Sequence, residues 1–231
     1  LQLQQLSDFT EKTSANLMSI AEKMNSNMRG RVEKLYPDNS YRRIGELPIG
    51  YICAREVVCE GSGCGVKYPL LKSPWVVNSK KGQKVCYNFK LNEGKVNISL
   101  IENPSDNQIP RVTVSNANGI CPICNHKTPK ESIRRQLKLR NGGTWDSRLL
   151  VTVTKPIGGK GKRFHASTQV EIDARAKASH LIEKLVSVDK TLSLPDEMLP
   201  IPEGKKMGTL GVGVQGYGID KWKYLFSPRQ L

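Results

Sequence analysis

The first part of the chain carries an apolar stripe with helical spacing. Apolar residues recur every three or four positions from residue 8 to 35, which predicts one long helix. Asp8, followed three residues later by Glu11, predicts a capping box at its start. Pro37 predicts its end. We expect this stripe to pack against another apolar surface rather than to bind a cofactor.

From Tyr51 to about Ile101 the hydrophobic pattern becomes that of strands. Short runs rich in β-branched residues alternate with glycine, proline and asparagine, as is typical of strands joined by turns. Residues 102–110 are polar and contain two prolines, so a loop is expected there.

The pattern after residue 148 predicts a hairpin followed by a helix. Residues 149–166 contain two strand-like runs around a turn with three glycines, which indicates a β-hairpin. Thr168 and Glu171 predict a second capping box, and it opens a helix that ends near Val188. Residues 190–210 are rich in proline and lysine and are predicted to be irregular.

Together these elements predict an α+β fold with a long N-terminal helix, a β-rich region and a second helix after the hairpin. The expected domains are a helix and linker at 1–50, a β-rich domain at 51–166, and a helix with an irregular C-terminal segment at 167–231. No run approaches the ~18 consecutive apolar residues of a membrane span, and no secretory leader is evident. We therefore expect a cytoplasmic protein with no membrane partner.

Charge is concentrated in the middle of the chain. Lys and Arg number 36 against 21 Asp and Glu, and residues 51–166 carry thirteen of the fifteen net positive charges. Such asymmetry predicts a polyanionic partner, DNA or RNA, because phosphate contacts release counterions. The alternative is a lysine-rich solvated surface. Aromatic residues are only 6% of the chain, which argues against a single-strand stacking platform.

Two basic clusters within this region are candidates for nucleic-acid contacts. One follows a Cys-Pro-Ile-Cys turn, and the other lies at the predicted hairpin turn. Their members are Arg134, Arg135, Lys138 and Arg140, and Lys160, Lys162 and Arg163. An exposed helix face and a solvated turn are the alternatives.

Four of the six cysteines have the arrangement of a zinc site. Cys121-Pro-Ile-Cys124 is a turn that directs two thiolates toward one ion, and Asn125 suits the positive φ that usually follows. Cys59 and Cys64, separated by a glycine-containing turn, supply the other two. The pattern predicts a structural zinc in a ribbon with a long β insertion. Free thiols or a redox CxxC motif are the alternatives.

The other two cysteines do not suit this site. A strand rises ~3.3 Å per residue, so Cys53 is expected about 20 Å from Cys59, too far for a shared ion with Zn–S bonds of about 2.3 Å. Cys53 is therefore predicted to be a buried small hydrophobe, and Cys86 a strand residue. His126 lies too close to Cys124 to serve comfortably as a second ligand.

No catalytic or cofactor-binding residues are predicted in this chain. Residues 211–216 satisfy G-x-G-x-x-G, but they lack the preceding strand and the later acidic residue of a dinucleotide site. Residues 158–162 lack the spacing of a phosphate-binding loop. The histidines are scattered and fit no nucleophile–base pattern.

An ordered set of short motifs extends from residue 35 to the last residue, and its C-terminal piece is the most specific. The set comprises Leu35-Tyr36-Pro37, Gly50-Tyr51-Ile52-Cys53-Ala54-Arg55, Cys59 and Cys64, Pro69-Leu70, Cys121 and Cys124, Tyr217-Gly218, Trp222, and Leu225-Phe226-Ser227-Pro228-Arg229-Gln230-Leu231. It resembles the zinc-ribbon-containing adenine-specific DNA methylases, bacterial and archaeal proteins often found among phage-defence genes.

The resemblance implies N6 methylation of adenine in DNA, with S-adenosylmethionine as cofactor and a flipped base. The family's Asp/Asn-Pro-Pro-Tyr signature is missing, since the chain contains no Pro-Pro pair. The chain is therefore expected to be the inserted zinc-ribbon region alone, with the methyltransferase core of the same polypeptide as its partner. It would assist DNA binding without catalysing methylation; a structural or protein-interaction module is the alternative.

Overall fold

The computed structural model describes residues 2–33, 41, 44–92, 94–189, 193–201 and 213–227. Its helices and antiparallel sheets form the predicted α+β fold. The chain divides into two compact units, Leu1–Asn39 and Ser40–Leu231.

The first unit contains one helix, α1 (Gln2–Glu33). The prediction of a long N-terminal helix is confirmed, but its predicted start is wrong, because Asp8 lies inside the helix and therefore does not cap it. The helical pattern extends upstream through leucines at positions 3 and 6, which explains the earlier start. The predicted end at Pro37 lies outside the described residues.

The described residues of the second unit form three antiparallel sheets. The first sheet has the order β10-β9-β1-β2, the second β3-β4-β5 and the third β6-β7-β8. The strands are β1 (Glu46–Val58), β2 (Lys67–Pro69), β3 (Trp75–Asn78), β4 (Lys84–Asn92), β5 (Lys95–Glu102), β6 (Val114–Ser115), β7 (Asn118–Ile120), β8 (Lys127–Thr128), β9 (Ser147–Pro156) and β10 (Arg163–Ala166). The helices are α2 (Lys130–Arg140) and α3 (Gln169–Val188).

The long strand β1 connects the parts of this unit. It pairs with β9 over most of its length and with β2 at its end, where Val57 lies opposite Tyr68. It begins at Glu46, earlier than the sequence pattern predicts, because Leu47 and Pro48 still pair with β9. The register shifts between Ile52 and Cys53.

Next to this irregularity, the prediction that Cys53 is buried is wrong. Cys53 is exposed rather than buried, and the Arg175 guanidinium lies 3.6 Å from its Sγ. Cys86, in contrast, lies in strand β4, as predicted, and is fully buried. The extra residue at the register shift is Leu150 in β9, so the shift does not set the face that Cys53 occupies. The packing of the sheets decides which face of β1 is buried, and local polarity alone does not predict it.

Two apolar clusters form the core of the second unit. One packs α2 against β1 and β2, through residues that include Val57, Tyr68, Ile133 and Leu137. The other fills the space between the first and second sheets around Leu150, with Tyr87 and Val151. Helix α2 is not among the elements that the sequence pattern predicts, and an exposed helix face is only an alternative there.

The predicted hairpin and the helix after it are confirmed. Strands β9 and β10 pair with Arg163 opposite Thr154, and α3 begins after Thr168 with the capping box in place. The C-terminal segment contains two short 3₁₀ helices, Val214–Tyr217 and Trp222–Leu225. Within the described part of the chain, no helix is both long and apolar enough to cross a membrane.

Candidate metal centre

The four predicted zinc ligands lie on two turns that each connect a pair of antiparallel strands. Cys59 and Cys64 are on the turn between β1 and β2, while Cys121 and Cys124 are on the turn between β7 and β8. Backbone hydrogen bonds close both turns: Cys59 N donates to Val66 O at 2.9 Å, and Cys121 N donates to His126 O at 3.0 Å. Strands β2 to β7 lie between the turns, so the predicted long β insertion is confirmed.

The four sulfur atoms converge on one point. All lie within 4.8 Å of one another, with Cys59 Sγ 3.5 Å from Cys124 Sγ and Cys64 Sγ 3.8 Å from Cys121 Sγ. Four Zn–S bonds of about 2.3 Å in a tetrahedron would separate the sulfurs by about 3.8 Å. The cluster therefore has dimensions suited to a tetrahedral ion and could bind one.

Backbone N–H groups around the sulfurs favour their thiolate form. Gly61 N donates to Cys59 Sγ at 3.4 Å, and the His126 N–H lowers the pKa of the Cys124 thiol to about 7. Asn125 has a φ of 60°, the positive value predicted after the second turn. These N–H dipoles point at the sulfurs as they would in a site built for metal-bound thiolates.

Burial acts in the opposite direction on the deeper cysteines. It raises the pKa of the Cys59 and Cys121 thiols. Cys121 is completely buried and Cys59 is 3% exposed, so neither is accessible to an attacking thiol. In the CxxC turn the accessible, low-pKa thiolate that a redox pair requires could therefore come only from Cys124, which is exposed, and not from its buried partner Cys121.

The apolar cluster surrounds this cysteine group and joins it to the rest of the unit. Tyr68 is fully buried, and its hydroxyl lies 3.3 Å from Thr128 Oγ1, just after the second turn. Cys53, Cys86 and His126 are not members of the group. Both turns thus share one core with the first turns of α2, where Ile133 is buried.

The structure places the four basic candidates of the first cluster on α2 and gives three of them internal partners. Arg135 pairs with Glu60 at 3.1 Å, Arg140 pairs with Asp146 at 3.0 Å, and the Arg134 guanidinium lies 5.1 Å from the centre of the Tyr217 ring. Lys138, the fourth member, is exposed. Nucleic-acid contacts by these residues remain a prediction.

The second basic cluster lies at the β9–β10 turn. Lys160 and Lys162 are exposed, and Arg163 at the start of β10 pairs with Glu46 at 2.8 Å. The two clusters lie in different elements, and their joint role in nucleic-acid binding also remains a prediction.

A buried polar group at Glu46 was not found from the sequence. Its carboxylate is 1% exposed and accepts hydrogen bonds from Thr154 Oγ1 at 2.5 Å, His165 Nε2 at 2.7 Å and Arg163 Nη1 at 2.8 Å. His165 also lines a cavity of about 500 Å³ with Tyr41. More than 100 residues separate Glu46 from these partners, so only the β1–β9–β10 pairing reveals the group.

Comparison with known proteins adds no relative. No protein-family model matches the chain, and neither the curated proteins nor the solved structures give a match.

Proposed function

We propose that the chain is a zinc-stabilised, non-catalytic module that engages DNA on behalf of an adenine N6-methyltransferase. The observation that carries the zinc-stabilised module is the convergence of four cysteine sulfurs within 4.8 Å. Four thiolates are the ligands that zinc prefers in structural sites. Because protein atoms would fill all four positions, such an ion would stabilise the fold and leave no open position for a reacting group.

The methyltransferase part of the proposal is supported by the motif set. The pieces that resemble zinc-ribbon-containing adenine-specific methylases include both cysteine pairs and the C-terminal residues from Leu225 onward. Without a Pro-Pro pair, the chain has no counterpart of the family's adenine-binding signature. Adenine recognition and S-adenosylmethionine would therefore belong to the methyltransferase core of the parent polypeptide.

The DNA part is supported by charge. Residues 51–166, which include the cysteine group, carry thirteen of the fifteen net positive charges, and duplex DNA attracts positive charge independently of sequence. A protein-interaction module is the second candidate, favoured by the internal partners of Arg134, Arg135 and Arg140. In that case the positive charge would serve solubility alone.

Substitution of single cysteines tests the metal. We expect Cys121→Ser and Cys124→Ser to lose bound zinc and to unfold the turns around it, because in such sites metal affinity is folding energy. Cys53→Ser is the matched control and should keep full zinc content. Zinc stoichiometry by elemental analysis decides; an unchanged value in Cys121→Ser would refute the assignment.

A salt series tests the nucleic-acid partner. We expect the zinc-loaded chain to bind duplex DNA at low salt, with an affinity that falls steeply as salt increases. Fluorescence anisotropy with duplex DNA and with RNA of the same sequence separates the two polyanions. Absence of DNA binding at low salt would favour the protein-interaction module.

Calorimetry with S-adenosylmethionine tests whether the cofactor site lies outside this chain. We expect no heat of binding, because the cofactor site would lie in the methyltransferase core. A saturable signal would contradict the placement of the chemistry outside this chain.

A further inference from the structure

The β9–β10 hairpin ends in an exposed basic turn. Residues 157–163 are all exposed, and the sequence from 147 to 170 contains no acidic residue. The base of the turn is anchored, since Ile157 N donates to Gly45 O at 2.8 Å and Gly159 N donates to Pro156 O at 3.2 Å. The turn therefore projects from a fixed base.

The two lysines of this turn are available to a ligand. Among the residues that the structure describes, Lys160 and Lys162 form no salt bridge. Arg163 uses Nη1 to hold buried Glu46, yet its side chain is 60% exposed, which leaves its outer edge facing solvent. On α2, Arg134 and Arg140 lie against Tyr217 and Asp146, whereas Arg135 pairs with Glu60 and remains 66% exposed. Lys138 on the same helix is exposed.

The glycines let the backbone of the turn approach a ligand closely. Gly158 and Gly161 have φ values of 72° and 91°, and a Cβ at either would meet nothing within 4 Å. Glycine is therefore favoured there for conformation, and both positions are exposed. Phosphate oxygens are acceptors that backbone N–H groups and flanking lysines bind together.

An apolar side chain also projects beside these cations. Ile157 is 56% exposed. An isolated exposed apolar residue is common, but here it lies between Lys155 and Lys160 in a projecting hairpin. Proteins that bind the minor groove combine basic residues with such an apolar contact.

We propose that the β9–β10 turn is the element that contacts DNA, with Lys160 and Lys162 on phosphates and Ile157 against the minor groove of a duplex. The inference rests on the proposed DNA-binding function and specifies the surface that performs it. Arg163 is the residue that ties this turn to the sheet through Glu46.

The experiment compares two double variants that remove the same charge from different turns. Lys160→Gln/Lys162→Gln changes the proposed contact. Lys80→Gln/Lys81→Gln is the control, because these lysines are exposed on the glycine-containing turn between β3 and β4. Affinity for a random-sequence DNA duplex is measured by anisotropy over a salt series, with zinc content and circular dichroism confirming that each variant is folded.

We expect Lys160→Gln/Lys162→Gln to weaken DNA binding at least about tenfold near 0.1 M salt and to make the salt slope shallower by about 1.8. The control should keep the wild-type slope. Ile157→Ala should weaken binding without changing the slope, since the contact is uncharged. Leu139→Ala, which alters an 81% exposed residue on α2, should leave binding unchanged.

The outcomes distinguish a failure of this inference from a failure of the proposed DNA-binding function. If wild-type protein binds DNA and both double variants lose affinity equally, binding is diffuse and the hairpin inference is wrong while the DNA function stands. If wild-type protein binds RNA but no duplex DNA, or binds neither, the proposed function fails and the inference fails with it.

Discussion

Gly61 lies where the two cysteine-bearing turns approach each other closely. A Cβ at this position would lie 2.9 Å from His126 Cβ and 3.3 Å from Cys124 Sγ. Its backbone N–H also donates to Cys59 Sγ. Gly61 therefore lies against both turns, and the spacing of the cysteines alone does not reveal this close approach.

We expect Gly61→Ala to separate the turns and to weaken zinc retention roughly tenfold, the lower range for changes next to a metal ligand. Competition with a chromogenic chelator measures the zinc affinity. Gly50→Ala is the control, because its nearest atom would be Val153 Cβ at 3.9 Å, an ordinary contact. Equal zinc affinity in the two variants would show that the turns tolerate the added methyl group.

Glu46 gives the protein a specific response to acid. Burial by itself would raise the pKa of Glu46, but the hydrogen bonds from Thr154 and His165 outweigh burial and hold it below the ordinary 4.5. A carboxylate with a lowered folded pKa stabilises the fold above its unfolded pKa. That contribution is lost as the pH falls below about 4.5 and through the lower folded pKa.

We expect Glu46→Gln to reduce the free energy of unfolding by about 1–3 kcal/mol at pH 7, since it weakens a buried charge-assisted network. The difference from wild type should shrink as the pH falls below about 4.5. Urea titrations of both proteins across the pH series measure it. Acid also releases thiolate-bound metal, but it does so in both proteins, so the difference isolates Glu46. A difference that is constant with pH would contradict the assignment.

At the scale of elements, the local sequence pattern is sufficient to predict an element where its stabilising contacts are close in sequence. The start of α3 is the clearest case: Thr168 Oγ1 accepts from Glu171 N at 3.3 Å, and the Glu171 carboxylate accepts from Thr168 N at 2.9 Å. Both bonds join residues three apart, so the sequence pattern contains them entirely. At Asp8 the same pattern occurs inside α1, because neighbouring residues continue the helix on both sides.

We expect Thr168→Ala to lower the free energy of unfolding by about 1 kcal/mol, the usual cost of removing an N-cap hydroxyl. Thr168→Ser keeps the hydroxyl and should remain close to wild type. Urea denaturation of the zinc-loaded proteins measures the difference. Equal losses in the two variants would assign the effect to packing of the threonine methyl group instead.

At the scale of the whole second unit, a buried arginine joins the metal region to the C-terminal segment. The Arg55 side chain is 12% exposed and donates to Leu137 O at 2.9 Å, to Asp146 Oδ2 at 3.0 Å and to Tyr217 O. Helix α2 lies between the second cysteine turn and the segment 213–227. A substitution where residues 213–227 pack against α2 should therefore release that segment while leaving the cysteine group intact.

Gly218 allows the C-terminal segment to pack closely against α2, since a Cβ at this position would lie 2.7 Å from Leu137 O. We expect Gly218→Ala to accelerate hydrogen exchange throughout 213–227 and to keep zinc bound. Gly213→Ala is the control: it has a similar positive φ but meets nothing within 4 Å, so it should show only the left-handed backbone cost of roughly 1–2 kcal/mol. Equal exchange in the two variants would mean that the segment does not depend on close packing against α2.

The sequence by itself determined the α+β class, the hairpin and the helix after it, and the four cysteines that converge, because periodicity, capping and turn chemistry act over a few residues. The tertiary structure alone decided which side of β1 Cys53 occupies and which arginines are taken up by internal partners. It also created the buried group at Glu46. These features depend on strand register and on contacts between residues far apart in the chain, where a carboxylate or a neighbouring sheet, rather than the local sequence, sets burial and charge.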